Sequence, residues 1–391
     1  MMTRTKQATI AAISTLIIGG ATFAQAADEV PVVNAGGTKI SLYGFLQLNA
    51  AYEDGNNGGK VFSYTAPSKS EDGNGRFLMN VNQTRIGFNL AGPQKDGEPE
   101  VSGKFESDFA NSNDRNNNGV GGFRIRQSYG QVKFKEIGLT LLMGQAADLI
   151  SPLSPSTINQ GSANYAGNLG TRRPQIRLTE SLGAVELAVA ALDDRGAAIP
   201  TAPAVQGRAG VKVPASWAGE KQNLAVGISG HFAKEKNADT LSNQPYEKKP
   251  KSWSVNADLS LPITGAINLA GEFFYGQDLK NYSNGSIGLT PAGEDGIKSL
   301  GGWGALGFKL PANISLYGGA ALEAIDSDSE VEGKPSQNLA VFANLGYNFT
   351  SSAKIALEYF RIATDYADKG GKKVDSGTLN RVEAALTYSF N

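Results

Sequence analysis

From Lys39 onward the chain alternates short joints with long polar loops, and that rhythm restricts its fold more than any other feature. Short joints fall at 92–97, 136–138, 182–184, 215–220, 262–266, 311–313 and 350–353. Between them lie stretches rich in Asn, Asp, Gly and Lys at 53–75, 111–122, 147–171, 193–203, 235–250, 278–298, 326–337 and 365–377. Seven short joints and eight long loops separate sixteen segments. Those segments carry a two-residue period, which marks strands. Val101, Gly103 and Phe105 oppose Lys104, Glu106 and Asp108; Trp253, Val255, Ala257 and Leu259 oppose Ser254, Asn256 and Asp258. Val382, Ala384, Leu386, Tyr388 and Phe390 repeat the pattern at the end of the chain.

A soluble sandwich also alternates. Short turns on one side and long loops on the other are instead the rhythm of a barrel that crosses a membrane with its strands. In hydrocarbon every backbone N–H and C=O must be paired internally, and a closed barrel does so without leaving an edge. The expected fold is therefore all-β, a transmembrane antiparallel barrel of about sixteen strands, wide enough to enclose water. Tyr43, Phe134, Phe308, Phe349 and Phe390 fall where an aromatic girdle would lie on the short-turn side. Tyr52, Phe109, Phe123 and Tyr359 fall toward the loops.

Residues 1–26 read as a cleaved export signal. Arg4 and Lys6 precede an apolar stretch at 9–23, and Ala24-Gln25-Ala26 supplies the small-x-small cleavage pattern. The stretch is short and broken by glycine for an anchor helix. A short segment at 27–38 then leads into a barrel over 39–391. Cysteine is absent, which removes disulfides, thiolate metal sites and cysteine nucleophiles. The net charge of −1 gives no global attraction to nucleic acid.

Enzymatic chemistry has little to work with. His231 is the sole histidine, and no GxSxG or GxxxxGK[ST] motif occurs. No cofactor is implied. The informative residues are charges that alternation turns inward. Arg85, Arg124, Arg126, Arg177 and Arg208 fall on the second, fourth, sixth and eighth segments; Arg173 lies above Arg177, and Arg381 is on the last segment. Arginine facing lipid near the midplane would cost about 2–4 kcal/mol, so inward is the cheaper assignment. Such a row attracts anions and grips carboxylates. The plainer alternative is a row balanced by Glu106 and Asp108 beside Lys104, with Glu186, Glu272, Glu323, Glu358 and Glu383 elsewhere. The long loop at 147–171 carries Asp148 as its one acid, Tyr165 among hydroxyls and amides, and Arg172 and Arg173 just past its end.

Several short pieces follow one another in this order: Tyr43-Gly44-Phe45, Asn82-Gln83-Thr84-Arg85-Ile86-Gly87, Gly103-Lys104-Phe105-Glu106-Ser107-Asp108-Phe109, Arg124-Ile125-Arg126-Gln127-Ser128-Tyr129-Gly130, Met143-Gly144-Gln145 and Arg172-Arg173-Pro174-Gln175-Ile176-Arg177. Together they resemble the trimeric porins of Gram-negative bacteria, and among them the DcaP-type porins. The resemblance covers almost the whole mature chain. It implies a homotrimer in outer-membrane lipid, a third loop (here 147–171) folded inward to narrow the pore, and passive diffusion of small, often anionic solutes such as dicarboxylates. A general porin passing neutral solutes is the nearest alternative; an outer-membrane barrel enzyme and a secreted binding protein are the others. Two departures stand out. DcaP-type chains carry an N-terminal coiled coil, whereas 27–38 shows no heptads, and the terminal aromatic is Phe390 followed by Asn391.

Overall fold

The computed structural model describes residues 32–55, 64–69, 75–111, 121–158, 166–194, 202–219, 221–234, 251–283, 285–289 and 296–390. The export signal at 1–26 and Tyr165 lie outside them. The strands are β1 (Val32–Ala35), β2 (Thr38–Glu53), β3 (Arg76–Asn80), β4 (Arg85–Ala91), β5 (Glu100–Asp108), β6 (Arg124–Phe134), β7 (Leu139–Ala147), β8 (Arg172–Leu182) and β9 (Val185–Leu192). They continue as β10 (Ala204–Pro214), β11 (Asn223–Lys234), β12 (Lys251–Pro262), β13 (Ile267–Gln277), β14 (Lys298–Leu310), β15 (Ile314–Ile325), β16 (Pro335–Asn348), β17 (Ala353–Tyr366) and β18 (Gly377–Phe390).

Each strand from β4 to β18 pairs antiparallel with the next, and β18 pairs with β2 over Gly44–Glu53, so the sheet closes on itself. β3 and β4 both pair with β2, along its end and its beginning, and together form one stave interrupted at 81–84. β1 folds back on the start of β2. The eighteen strands thus make a barrel of sixteen staves. The expected short segment before the barrel holds a strand of its own.

Alternation places two kinds of side chain on the two faces. Outside, Leu46, Leu48, Tyr52, Phe77, Met79, Val101, Ile176, Val255, Phe273, Leu357 and Tyr388 are all exposed. An apolar belt of that extent would be untenable in water and is stable facing lipid. Phe134, Phe349, Tyr52, Phe123 and Tyr359 lie on this outer face. Tyr43 does not. It stands opposite Gly87, where a side-chain carbon would collide with its ring, and its hydroxyl donates to Glu106 at 2.9 Å inside the barrel. The missing side chain of Gly87 leaves the ring a floor to lie on.

Inside, the wall is divided. Trp303, Ala305, Ala321, Ala340, Phe342, Phe360, Ile362 and Leu379 on β14–β18 form an apolar cluster covered by Ala66, Leu153 and Ala166 from two loops. The seam between β18 and β2 is polar. Arg381 bonds Glu53 and Glu383 at 2.8 Å each, Arg76 bonds Glu53 at 2.7 Å, and Asn49 donates to Glu383 at 2.6 Å. Arg381 and both carboxylates are fully buried. Removing one partner would leave buried charge uncompensated. Arg381→Ala is therefore expected to destabilise the barrel by about 3–5 kcal/mol. Electrophoresis of the folded and heated protein reads this as loss of the compact band at lower temperature.

Candidate functional site

The inward charges concentrate on one arc of wall, β4 to β8. Arg85 stands opposite Asp108 on β5, and Lys104 and Glu106 follow along the same inward face. On β6 the pairing with β5 slips. Glu106 faces Gln127, yet Ser107 faces Ile125, so Arg126 is an extra residue in a β-bulge. The bulge decides where two arginines point. Ser128 and Gly130 lie on the exposed outer face, as does Ile125, an odd spacing that regular alternation forbids. Without the extra residue Arg124 and Arg126 would face lipid.

The carbonyls freed at the bulge accept from the Gln145 side chain, at 2.6 Å from Ile125 and 3.2 Å from Arg126. Arg126 then donates to Glu106 and to Asp108 at 2.7 Å, and Arg124 grips Asp108 through two bonds of 2.8 and 2.7 Å. Arg85 lies 3.8 Å from Glu106 and over the Phe45 ring. Lys104 lies over the Tyr43 ring. Arg172, the first residue of β8, pairs opposite Ala147 and adds a further cation at this end of the wall. Five cations (Arg85, Lys104, Arg124, Arg126, Arg172) meet two carboxylates (Glu106, Asp108), a formal excess of three. Arg177 stands beyond Tyr129, donating to Gln175 at 2.9 Å and to the Ala147 carbonyl.

The remaining arginines are committed elsewhere. Arg173 is enclosed between Asp148 at 3.4 Å and Asp194 at 3.2 Å, stacked 4.0 Å from the Tyr282 ring. Arg208 pairs with Asp258 at 2.6 Å, and Arg381 with its two glutamates at the seam. Burial pushes the Asp148 carboxyl above the usual carboxylate range, against the opposing pull of Arg173 and the Thr171 N–H.

The described parts of loop 147–171 run inside the barrel. Glu272 on β13 accepts from the Leu153 N–H at 2.6 Å and from the Ser151 hydroxyl. Glu358 on β17 accepts from the Ile158 N–H at 2.7 Å, and Asn344 on β16 donates to the Ser156 carbonyl at 2.8 Å. Gln206 on β10 accepts from the Leu149 N–H. The loop therefore crosses from β7 to the far wall. Its base is backed by a second loop, through Ile150, Leu169, Leu279 and Tyr282. In the sequence Glu272 and Glu358 stand only as possible counter-charges to the arginines, in the alternative of a balanced wall; here they are acceptors for loop amides.

His231 is buried in the wall, its Nδ1 2.7 Å from Ser254 and its Nε2 3.0 Å from Ser252, with Tyr282 stacked on it at 3.9 Å. Ser252 donates onward to the Asp278 carbonyl. Both ring nitrogens are occupied by structural bonds and a ring covers the face. Among the described residues no group of His, Cys, Asp and Glu could hold a metal ion.

No protein-family profile and no curated protein matches the chain. Solved structures do. The outer membrane channel DcaP of Acinetobacter baumannii superposes with a TM-score of 0.74 at 19% identity, covering 92% of this chain and 99% of that one. An anion-selective porin from Comamonas acidovorans gives 0.61 at 12% identity, covering 90% and 100%. A trimer form of OmpT, an outer membrane protein of Vibrio cholerae, gives 0.54 at 14%, covering 90% and 99%. At these identities the likeness establishes the fold.

Glu272 and Glu358 should hold the loop in place. Replacing both by alanine removes the acceptors of two backbone amides and a hydroxyl, each such bond contributing about 0.5–1.5 kcal/mol and more where the buried partner is left unsatisfied. Limited proteolysis of the folded double variant is expected to cut within 147–171 at least about tenfold faster than in the parent. Equal rates would assign the anchoring to the apolar contacts of Leu153 and Ala166.

Proposed function

We propose, from the premise that this is an outer-membrane barrel of the porin fold, that it is a passive channel for small hydrophilic anions, dicarboxylates among them. The observation that carries the proposal is the asymmetry of the lumen. The described parts of loop 147–171 are tied to the far wall, and on this reading they narrow the passage from that side and leave it open beside β4–β8. There Arg85, Lys104, Arg124, Arg126 and Arg172 outnumber Glu106 and Asp108. Rings and rows of fixed charge set pore selectivity through the local field. Tyr43 and Tyr129 stand among the charges; the Tyr43 hydroxyl is engaged with Glu106, and Tyr129 offers its own to a solute that sheds water. Arg177 extends the positive side past Tyr129.

Arg173, Arg208 and Arg381 stiffen the barrel and contribute little to that field, because each is neutralised at contact distance. The working unit proposed is a homotrimer in outer-membrane lipid, supported by the trimer form solved for the Vibrio cholerae protein of the same fold. The opposite view, a weakly selective porin, draws on the ion pairs of Arg124 and Arg126 with Glu106 and Asp108. Those pairs cancel two of the five cations and leave three.

Reversal potentials across a planar bilayer under a KCl gradient test the proposal. The parent is expected to be anion-selective, with succinate added on one side slowing the chloride current. Lys104 and Arg172 form no ion pair among the described residues, so Lys104→Ala with Arg172→Ala removes two of the three excess charges. The permeability ratio should then fall to within about twofold of unity. Replacing Arg208 and Asp258 together by serine removes a neutral pair and should leave the ratio nearly unchanged. Cation selectivity in the parent would overturn the reading.

A further inference from the structure

The outward rim on the loop side of β11–β14 carries three lysines that form no ion pair among the described residues. Lys234 ends β11 and stands directly opposite Lys251, the first residue of β12. Lys298 begins β14 opposite Gln277, which is itself opposite Trp253 of β12. All three lysines are exposed. Alternation places them on the face of Phe232, Val255, Phe273 and Leu300, the face turned to lipid.

Like charges directly opposite one another across an antiparallel pair repel, so Lys234 and Lys251 weaken the sheet they end unless something anionic lies between them. None of the three lysines forms an ion pair among the described residues. Among the described residues, the carboxylate that follows β15 beside Lys298 is Asp326, whose backbone N–H donates to the Lys298 carbonyl. Its side chain caps its own turn instead, accepting from the Asp328 N–H at 3.3 Å.

Height in the membrane is fixed by the rings beneath. Trp253 and Tyr275 meet edge to face at 5.6 Å, and Phe232 stands opposite Trp253. Outward aromatic rings of this kind mark the level where hydrocarbon gives way to head groups. The ammonium groups sit at that level or one pleat above it. With strands about 4.8 Å apart, the group spans roughly 15 Å from β11 to β14.

We propose that Lys234, Lys251 and Lys298 form a binding site for the phosphorylated head group of an outer-leaflet glycolipid. The acyl chains would lie along Phe232, Val255, Phe273 and Leu300, and Trp253 and Tyr275 would meet the sugars. Long loops face outward in barrels of this kind, which selects the outer leaflet. A membrane-facing position selects a lipid over a soluble anion.

The folded full-length barrel in detergent is titrated with lipid A bearing two phosphates, with the same lipid stripped of both, and with inorganic phosphate; native mass spectrometry counts the bound species. The parent is expected to retain the phosphorylated lipid. The variant Lys234→Gln, Lys251→Gln, Lys298→Gln should lose about a hundredfold in affinity, roughly fivefold for each ammonium removed at a charged lipid surface. The stripped lipid should bind the parent as weakly as the phosphorylated lipid binds the variant. The compact band on electrophoresis shows that the variant folds. Equal retention of phosphorylated lipid by both proteins would overturn the proposal, as would equal binding of the two lipids by the parent. Displacement by millimolar phosphate alone would make it a soluble-anion site. A variant that loses subunit association and keeps its lipid would assign the face to a second copy of the chain. Neither result bears on ion selectivity, which resides on the opposite face of the wall.

Discussion

Everything in this structure follows from the need to pair every backbone group where no water can help. β2 shows the consequence most fully: it bonds β18 on one side and β3 and β4 on the other, and β1 returns along its first residues. Where the ladder breaks, polar side chains stand in for it. At the interruption between β3 and β4, the Thr84 hydroxyl accepts from the Gln47 N–H at 3.1 Å, the Asn82 carbonyl from the Phe109 N–H at 3.1 Å, and the Asn82 side chain from the Gly121 N–H at 3.0 Å. At the β6 bulge Gln145 plays the same part. An unpaired amide in such a place would cost several kcal/mol. The polar residues at Asn82, Thr84 and Gln145 are therefore replacements for strand bonds.

The lumen obeys a second rule. A barrel this wide cannot fill itself with side chains, so an apolar patch on its inner wall must be covered by something else. Phe342, Phe360, Trp303 and their small neighbours are such a patch, and Leu153 and Ala166 of the inward loop lie on it. Glu272 and Glu358 flank the patch and receive the loop's amides. Apolar contact and carboxyl acceptors together hold the described parts of the loop on this side of the lumen, opposite the charged arc of β4–β8. On the proposed reading, the asymmetry of the passage begins in this asymmetry of wall composition.

The barrel was legible in the sequence because its two signals, period two and the short–long rhythm of connections, come from backbone geometry and survive substitution. The joints at 311–313 and 136–138 and the loops between fall where expected. Side-chain partners were less legible, because they depend on register across strands far apart in sequence. Tyr43 looked like a girdle residue until its pairing with Gly87 turned it inward. Arg173, Arg208 and Arg381 looked equivalent to Arg85, although each lies closer to a buried carboxylate than Arg85 does to Glu106. The bulge did leave a trace: Phe123 and Ile125 set one outward phase on β6, and Val132 and Phe134 set the other. Two phases in one strand require an extra residue between them, and Arg126 is that residue.

Counting arginines on a wall therefore says little about the field inside. Arg124 and Arg126 enter the lumen only through a bulge, and they arrive facing Glu106 and Asp108, so their net effect is to bury those carboxylates and fix the local geometry. A paired charge acts at short range, as a dipole; an unpaired one acts across the passage, the more so where low-dielectric walls confine its field lines. On the proposed reading selectivity then resides in Lys104 and Arg172, with Arg85 and Arg177 partly committed: Lys104 lies over the Tyr43 ring, Arg85 over the Phe45 ring beside Glu106, and Arg177 donates to Gln175. The ion pairs supply the rigid frame against which those few charges keep their positions. A wall of arginines all fully paired would be just as basic in composition and nearly silent to a passing anion.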